Sequence, residues 1–412
     1  RYIGDWSSDV CSSDLSVSSI DRIERAISYI KKARKTGYFV VVVVSAMGKE
    51  TDRLLKLTTG LDEYKKSDDI SSLLSAGEQI SSSLFSILLN KNNIKGKSFQ
   101  GWQIPIHTDL SYYNSHILKI ETQHIKNSLK NDEVPVVSGF QGINKLNRIT
   151  TLGRGGSDTT AVALAASLGA KRCDIYTDVA GVFSADPRIV KEAKKIDEIN
   201  YEEMLELSSL GAKVLHTRSV QLALKYNVKL QVLSSFTGKK GTMLTKKNVY
   251  LEKQIIRGIA HSNNETLITL IDIKNKPGIS ATIFNALSKE NINVDMIVQS
   301  GSAKDANVTY AFTISKIDAK KAENIMNKLK NKIKFNDIFI NNDICKVSIV
   351  GLGMKTNVGV ANTMFTELAK NNINIHVIST SEIKISVLID EKYKELAIRS
   401  LHSIFKLNSK KK

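Results

Sequence analysis

Cysteine, proline, aromatic residues and long apolar runs are all scarce in this chain of 412 residues. Its three cysteines, Cys11, Cys173 and Cys345, are too few and too far apart for a disulfide framework or a zinc site. We therefore expect a reducing compartment, the cytoplasm. Apolar runs such as residues 39–44 are much shorter than a membrane span, and no secretory signal is recognisable. We predict no membrane partner.

The net charge is strongly positive, +18, from 59 Lys and Arg against 41 Asp and Glu. The basic residues are spread along the whole chain. Aromatic residues make up only 6% and are not interleaved with a basic stripe, as stacking on bases would require. We therefore predict no nucleic-acid partner and expect the charge to attract small anionic substrates. The length indicates two or three domains.

A glycine-rich turn at residues 153–158 (GRGGSD) precedes a predicted helix over 159–168 and a predicted strand over 173–177, which ends on Asp178. Glycines let a backbone approach an anion closely, and a following helix N-terminus offers free N–H groups. Arg154 adds a planar fork for a carboxylate or phosphate. The pattern predicts an anion-binding platform. The alternative is a turn that only joins a strand to a helix.

The apolar run at 39–44 lacks alternation, which is typical of a parallel strand buried on both faces. Ser45 and Thr51 follow it, where ligands bind in open α/β sheets, and either could bind a substrate oxygen or only cap a helix. Glu78 lies in an apolar helix predicted over 73–89. It could pair with a ligand ammonium or act as a first-turn partner of the helix dipole. We interpret His216 as structural rather than catalytic.

The C-terminal part contains an internal repeat. Residues 277–300 align without gaps to residues 358–381, and Gly278 matches Gly359. Each copy indicates a ferredoxin-like βαββαβ unit. Residues 1–15 show no periodicity and are interpreted as a segment foreign to the fold. The predicted domains are therefore 16–245, 246–340 and 341–412.

These motifs, in this order, resemble the aspartate kinase family: VVVVSAMGKETDRLL, SAGEQISSSL, SGFQG, TTLGRGGSDTTAVALAASLGA, YTDVAGVFSADPR, GAKVLHTRSVQLA and STSEIKISVLI. The resemblance covers nearly the whole chain from Ser16 to about Leu407. It implies an α/β fold with an amino-acid-kinase-like, open, mostly parallel sheet and helices on both of its faces. Two ferredoxin-like ACT domains follow.

The resemblance also implies an activity. The expected reaction is ATP-dependent phosphorylation of the β-carboxylate of L-aspartate to 4-phospho-L-aspartate, the first step toward lysine, threonine, methionine and diaminopimelate. ATP comes with Mg²⁺ held largely by its phosphates, and no protein metal ligands are expected. The implied catalytic residues are Arg154 and Asp178. The implied substrate-binding residues are Ser45, Thr51, Glu78, Arg154 and Ser157, with Arg154 on the α-carboxylate and Glu78 on the ammonium. The implied ATP-binding residues are Thr177, Asp178, Phe183, Ser184, Ala185, Asp186, Pro187 and Arg188.

The ACT resemblance implies feedback by lysine and/or threonine and a homo-oligomer formed through the ACT domains. The implied effector-binding residues are Asn275, Lys276, Pro277, Gly278, Ile279, Ser280, Asn293, Val294, Asp295, Gln299, Val360, Ala361, Asn374, Ile375, Ser381 and Glu382. The alternative is that these residues only build the domain interface.

The chain departs from the family at its start, where K-F-G-G-T-S is usual and only Ser16 and Val17 match its end. Loss of a charge-stabilising lysine lowers a rate by about 10²–10³-fold, so impaired activity is expected. Thr217 stands in place of proline, and Asn275 in place of aspartate. Kinases of the same fold that act on glutamate, acetylglutamate or UMP are disfavoured by the ACT pair and by Glu78 with Arg154. A non-catalytic amino-acid sensor is the alternative of a different class.

Overall fold

The computed structural model describes residues 17–60, 68–211, 214–246, 255–301 and 307–408. Residues 1–15, interpreted above as foreign to the fold, and Lys213 of the GAKVLHTRSVQLA motif lie outside the described residues. The chain divides into two units. The first comprises Arg1–Phe183 with Lys195–Leu251, and the second Ser184–Lys194 with Glu252–Lys412.

The first unit is a mixed α/β structure. Its helices are α1 (Ile20–Lys35), α2 (Glu50–Lys56), α3 (Asp68–Lys91), α4 (Gln123–Lys130), α5 (Gly156–Leu168), α6 (Tyr201–Ser209) and α7 (Thr217–Tyr226). Its strands are β1 (Val42–Val44), β2 (Gly96–Phe99), β3 (Ile106–Thr108), β4 (Ile117–Ile120), β5 (Val134–Ser138), β6 (Gln141–Ile143), β7 (Ile149–Thr151), β8 (Cys173–Thr177), β9 (Glu198–Asn200), β10 (Leu230–Ser234) and β11 (Lys240–Thr245).

Parallel pairing dominates the buried sheets of this unit. The order β1-β5-β2 is parallel throughout, with Val42 opposite Val136, and β8 pairs in parallel with β10 in the order β8-β10-β11-β9. All residues of β1, β5, β8 and β10 are buried, as is typical of parallel strands covered on both faces. The ladder of β1 begins at Val42, three residues later than the apolar run.

One apolar cluster of the first unit contains residues of α1, of α3 and of strands from two sheets. Ile23 and Ile27 of α1 and Phe85 of α3 pack against Val42 of β1 and Tyr176 of β8. The spacing of the α1 isoleucines places them on one face of a helix, and burial of that face stabilises the helix against the sheet. A smaller sheet, β4-β3-β6-β7, completes the unit.

The second unit contains two repeats. Its strands are β12 (Gly258–Ser262), β13 (Thr266–Lys274), β14 (Val294–Ser300), β15 (Asn307–Ile314), β16 (Asp337–Asn341), β17 (Ile344–Val350), β18 (Val377–Thr380) and β19 (Lys384–Asp390). Its helices are α8 (Ile279–Lys289), α9 (Ala319–Ile333), α10 (Val360–Lys370) and α11 (Lys394–Ile404). The first repeat has the sheet order β14-β15-β13-β16, which is the ferredoxin-like arrangement predicted from the repeat.

The second repeat is completed by a strand that precedes the first. Its sheet has the order β12-β17-β19-β18, and β12 pairs antiparallel with β17, Ala260 opposite Ser348. The predicted boundary at residues 340 and 341 therefore separates β12 from the sheet to which it belongs. The segment 184–194, predicted within the first domain, likewise groups with the second unit. Both differences arise from contacts between residues far apart in sequence, which local periodicity does not report.

Candidate active site

The turn after β1 is held by α3. Glu78 of α3 is 3% exposed, and its Oε1 accepts a hydrogen bond from the Ala46 backbone N–H at 3.0 Å. A Cβ on the neighbouring Gly77 would lie 2.8 Å from the Cβ of Ala46, so glycine is what allows the helix to approach the turn this closely. The pair Gly77-Glu78 thus fixes a carboxylate beside Ser45.

The position of Glu78 excludes one interpretation made from the sequence. Helix α3 begins at Asp68, well before the predicted start at residue 73. Glu78 therefore lies in the helix interior, where it cannot act as a first-turn partner of the dipole. The hydrogen bond from the Ala46 N–H satisfies one oxygen of this buried carboxyl group.

A buried polar cluster surrounds the ends of β1 and β5. The Oγ of Ser138, the last residue of β5, lies 2.8 Å from Ser82 Oγ and 2.6 Å from Gln100 Oε1. Ser81 Oγ donates to Ser45 O at 2.7 Å. Ser81, Ser82 and Ser138 are not among the residues predicted from the sequence. The signal was a run of serines inside an otherwise apolar helix, because buried hydroxyls need partners.

Ser157 reaches the same sheet edge. Gly139, directly after β5, donates its N–H to Val44 O at 2.9 Å. A Cβ on Gly139 would lie 2.8 Å from both Cβ and Oγ of Ser157, so the first turn of α5 packs directly on this glycine. The structure therefore brings Ser45, Glu78 and Ser157 of the predicted substrate set together at the carboxyl ends of β1 and β5.

Hydrogen bonds from α7 anchor the glycine-rich turn before α5. Gly153 and Gly155 have φ values of +77° and +67°, which glycine adopts without strain. Arg218 of α7 donates from Nη1 to Leu152 O at 2.8 Å and from Nη2 to Ser115 O at 2.6 Å. Arg154, between the two glycines, is exposed. The turn is thus held in place while its arginine remains accessible to a ligand.

His216 is a packing partner of that turn. A Cβ on Gly155 would lie 2.4 Å from His216 Cγ. Burial lowers the pKa of His216, and the positive charges of Arg154 and Arg218 lower it further. A neutral imidazole packed against a glycine agrees with the structural interpretation of this residue.

Two members of the predicted sets lie apart from this group in the hydrogen-bond network of the described residues. Thr51 is half-buried in the first turn of α2. Asp178 is exposed after the end of β8, and its Oδ1 accepts a hydrogen bond from Thr177 Oγ1 at 3.1 Å. Asp178 presents a carboxylate at the carboxyl end of a parallel strand, the edge at which such sheets bind ligands.

The predicted ATP-binding loop is divided between the units. Phe183 forms an antiparallel bridge with Lys195 within the first unit. Ser184, Ala185, Asp186, Pro187 and Arg188 belong to the second unit. The hydrogen bonds from Arg188 lower the pKa of Asp186.

The predicted effector positions fall on equivalent places in the two repeats. Helix α8 follows Gly278 at φ +90°, and α10 follows Gly359 at φ +94°. Asp295 accepts a hydrogen bond from the buried Lys346. The remaining positions are half-buried (Ile279, Ser280, Val294, Ala361, Ile375), buried (Val360) or exposed (Asn275, Lys276, Pro277, Asn293, Gln299, Asn374, Ser381, Glu382).

Among the described residues, no group of three or more His, Cys, Asp or Glu side chains could hold a metal ion. No helix in the described parts of the chain is both long and apolar enough to cross a membrane. The polar site at the ends of β1 and β5 offers hydroxyl groups, the carboxyl group of Glu78 and the guanidinium group of Arg154. This set suits a small charged ligand.

Comparison with known proteins gives two domain families and a consistent set of relatives. The amino acid kinase family matches residues 12–234, and the ACT domain matches residues 268–329 and 347–405. An aspartate kinase of Pseudomonas putida is 45% identical over 395 residues, covering 96% of each chain. An aspartokinase of Pseudomonas aeruginosa is 45% identical over 396 residues, again covering 96% of each.

Solved structures agree. The crystal structure of Escherichia coli aspartokinase III in complex with aspartate and ADP has a TM-score of 0.80 at 25% identity, covering 97% of this chain and 99% of that chain. The fold and the matched domains define an amino acid kinase that carries ACT domains. At the level of the individual family, the chain belongs to the aspartate kinases and is a kinase enzyme that uses a nucleotide.

Proposed function

We propose that this chain transfers the γ-phosphoryl group of ATP to the β-carboxylate of L-aspartate, giving 4-phospho-L-aspartate and ADP. A carboxylate oxygen forms the new bond to phosphorus as the bond to the β–γ bridging oxygen breaks. The observation that carries the proposal is the convergence of Ser45, Glu78 and Ser157 beside a turn that presents Arg154. The product would enter lysine, threonine, methionine and diaminopimelate synthesis, in the cytoplasm, as the few cysteines favour.

The two charged residues would hold the backbone end of aspartate. Arg154 is exposed on an anchored turn, and its planar fork suits bidentate binding of the α-carboxylate. Glu78 keeps Oε1 on the Ala46 N–H while its buried negative charge attracts the α-ammonium. Charge pairs strengthen where water is excluded, so a buried carboxylate discriminates an amino acid from a simple dicarboxylate.

The hydroxyl groups would orient the attacking β-carboxylate, and we assign this role to Ser45, Thr51 and Ser157. Phosphoryl transfer depends mainly on positioning and charge neutralisation, so orientation is the principal contribution of these side chains. For the nucleotide we assign Thr177, Asp178 and Phe183 in the first unit and, as a separate set in the second unit, Ser184, Ala185, Asp186, Pro187 and Arg188.

The family implies Mg²⁺, which usually keeps several waters and binds one or two carboxylates plus substrate phosphates. The sequence predicted no protein metal ligand, but Asp178, an exposed carboxylate at the end of β8, would suit such an ion. When bound with ATP, the ion neutralises phosphate charge. Asp178 would also orient the neighbouring Thr177 hydroxyl, which donates to it.

The test is product trapping. The chain is incubated with ATP, Mg²⁺, L-aspartate and hydroxylamine, and aspartyl hydroxamate is measured, with L-glutamate as the alternative acceptor. A second version carries a segment containing K-F-G-G-T in place of residues 1–15, and we expect the original chain to be about 10²–10³-fold slower. Absence of aspartyl hydroxamate from the second version contradicts the proposal.

Arg154 provides the variant that tests the site. Arg154→Ala removes a charge-assisted bidentate contact and should raise KM for aspartate by about 10- to 100-fold, with KM for ATP little changed. Arg148→Ala is the matched control, because Arg148 pairs with Asp68 and Asp69 at the surface. An unchanged KM for aspartate in Arg154→Ala would remove Arg154 from the proposed site.

We also propose that the ACT domains bind lysine and/or threonine at the positions given above and pair in a homo-oligomer. A structure of Escherichia coli aspartokinase III with lysine and aspartate, similar to this chain with a TM-score of 0.74, supports lysine as an effector. Calorimetric titration with each amino acid, alone and together, tests this. Binding of neither contradicts the feedback proposal, and a monomeric mass by light scattering contradicts the oligomer.

A further inference from the structure

Residues 184–194, here called the crossing segment, pack into a unit far from them in sequence. The chain leaves the first unit after Phe183 and returns to it at Lys195. Phe183 and Lys195 are bridged, and Ile196 donates its N–H to Val182 O at 2.8 Å, so the base of the excursion is closed within the first unit. The crossing segment is therefore a loop closed at its base, and it groups with the second unit.

Apolar contacts hold the crossing segment on both sides of residues 186–188. Ala185 and Val190, each 3% exposed, belong to the hydrophobic core of the second repeat, as does Leu401 of α11. Arg399, also on α11, donates from Nε to Ile189 O at 3.0 Å. The C-terminal helix thus contacts the segment through side chains and through its backbone.

A buried hydrogen-bond network fixes the ends of the segment. Ser184 Oγ lies 3.0 Å from His402 Nε2 of α11 and accepts the Lys194 N–H at 2.9 Å, while Ile259 N–H donates to Ser184 O at 2.8 Å. Burial lowers the pKa of His402, although Glu192 opposes the shift. The Ser184 hydroxyl can donate to His402 Nε2 or accept from it, depending on the histidine tautomer, and in either case it also accepts the Lys194 N–H.

The tip of the crossing segment, residues 186–188, carries charged groups of the predicted ATP-binding set. Arg188 donates to Asp186 from its backbone N–H at 2.9 Å and from Nη2 at 2.7 Å, which orders the tip internally. Pro187 and Arg188 are exposed, whereas the flanking Ala185 and Val190 are buried. The anchors therefore set the position of the tip without covering it.

We propose that His402 and Arg399 of α11 are positioning residues for ATP binding. They hold the crossing segment so that Asp186, Pro187 and Arg188 are presented to the nucleotide. The inference rests on the proposed function, since it concerns the nucleotide used in that reaction. It assigns to the last helix of the ACT region a role in the affinity for ATP that is separate from effector binding.

Steady-state kinetics with ATP and aspartate varied separately test the Ser184–His402 contact. Ser184→Ala and His402→Phe should each raise KM for ATP about tenfold, because a buried partner loses its hydrogen bond, and should leave KM for aspartate unchanged. In the Ser184→Ala/His402→Phe double variant, KM for ATP should rise no further than in either single variant, because both substitutions remove the same contact. His402→Gln, which can still bond to Ser184, should recover most of the affinity. His376→Gln in the same unit is the matched control.

Arg399 offers a second, more exposed test with its own control. Arg399→Ala removes the hydrogen bond to Ile189 O together with the ion pair to Glu395, whose Oε2 lies 2.8 Å from Arg399 Nη2. Glu395→Gln removes only the ion pair. We expect KM for ATP to rise in Arg399→Ala and to stay unchanged in Glu395→Gln. Equal effects in the two variants count against the proposal.

The proposal is overturned if Ser184→Ala and Arg399→Ala fold normally and bind ATP as the parent chain does. It is also overturned if both KM values rise together, which indicates general destabilisation. Calorimetric titration with ADP needs no turnover and separates the two hypotheses. Weaker ADP binding in the variants of a chain that forms no aspartyl hydroxamate refutes the function and supports the positioning role. Normal product formation together with unchanged ADP binding in the variants supports the function and refutes the positioning role.

Discussion

The buried ion pair of Lys346 gives the sharpest prediction for the stability of the second unit. Lys346 of β17 is 4% exposed, and its Nζ lies 2.8 Å from Oε1 of Glu265, which is 6% exposed. It also bonds to Asp295 of β14. Burial lowers the pKa of Lys346, but the two carboxylates outweigh that effect and the net shift is upward. The ammonium is therefore charged where little water reaches it.

Lys346→Met removes this cation and leaves the Glu265 carboxylate buried without it. Breaking one side of a buried pair costs about 3–5 kcal/mol. In hydrogen exchange governed by opening of the sheet, that cost corresponds to a rate increase of about a hundredfold to a few thousandfold. The amide groups of β17 are the ones to measure, by exchange and mass spectrometry. Tryptophan fluorescence does not report on this unit, because no tryptophan follows Trp102 in the sequence.

Two double variants make the reasoning refutable. Adding Glu265→Gln to Lys346→Met should restore most of the protection, because both charges are then gone. Adding Asp295→Asn should restore little, because the Asp295 side chain is 51% exposed and water already solvates it. The reasoning is refuted if the amide exchange rates of β17 are unchanged in Lys346→Met. It is also refuted if the two double variants recover protection equally, because the burial of the Glu265 charge would then not be the source of the effect.

Three further predictions concern other parts of the chain. Gly139→Ala should raise KM for aspartate by about 10- to 100-fold, because its Cβ would displace Ser157, and kinetics indistinguishable from the parent would contradict that packing. Cys345 is fully buried, and burial raises its pKa to about 12, so maleimide should label it only after denaturation, as peptide mapping can check. Burial lowers the pKa of both His216 and His402. The stability that each neutral imidazole contributes should be complete above about pH 6.5 and should be lost as the pH falls toward the pKa of the folded state, because in that range the unfolded chain binds the proton more readily. Urea midpoints at pH 7.5 and 5.5 should differ less in the His216→Gln/His402→Gln variant, and an equal difference would exclude this source.

Several elements followed from sequence patterns alone. The sequence predicted a strand over 173–177, and β8 occurs with these bounds. The alignment of the two repeats predicted the ferredoxin-like units, and the resemblance to the aspartate kinases implied the α/β fold of the first unit. Each of these features depends on residues adjacent in the chain, where glycine content, apolar spacing and helix propensity act directly.

The assembly of the candidate site required the tertiary structure. The sequence marked Ser45, Glu78 and Arg154 as unusual, but it left Glu78 with two interpretations, and only the start of α3 at Asp68 excluded one. Ser138 lies beside Ser82 because α3 packs on the ends of β1 and β5. No spacing rule relates those two serines.

The sequence by itself indicated strands at 39–44 and 173–177, the glycine-rich turn at 153–158, and the repeat in the C-terminal part. The tertiary structure alone decided that β12 completes the sheet of the second repeat and that the crossing segment is held by Ser184 and His402. The physical reason is the same in both cases. Local patterns specify conformation and burial, whereas the choice among distant partners depends on shape and hydrogen-bond complementarity that exists only once the chain has folded.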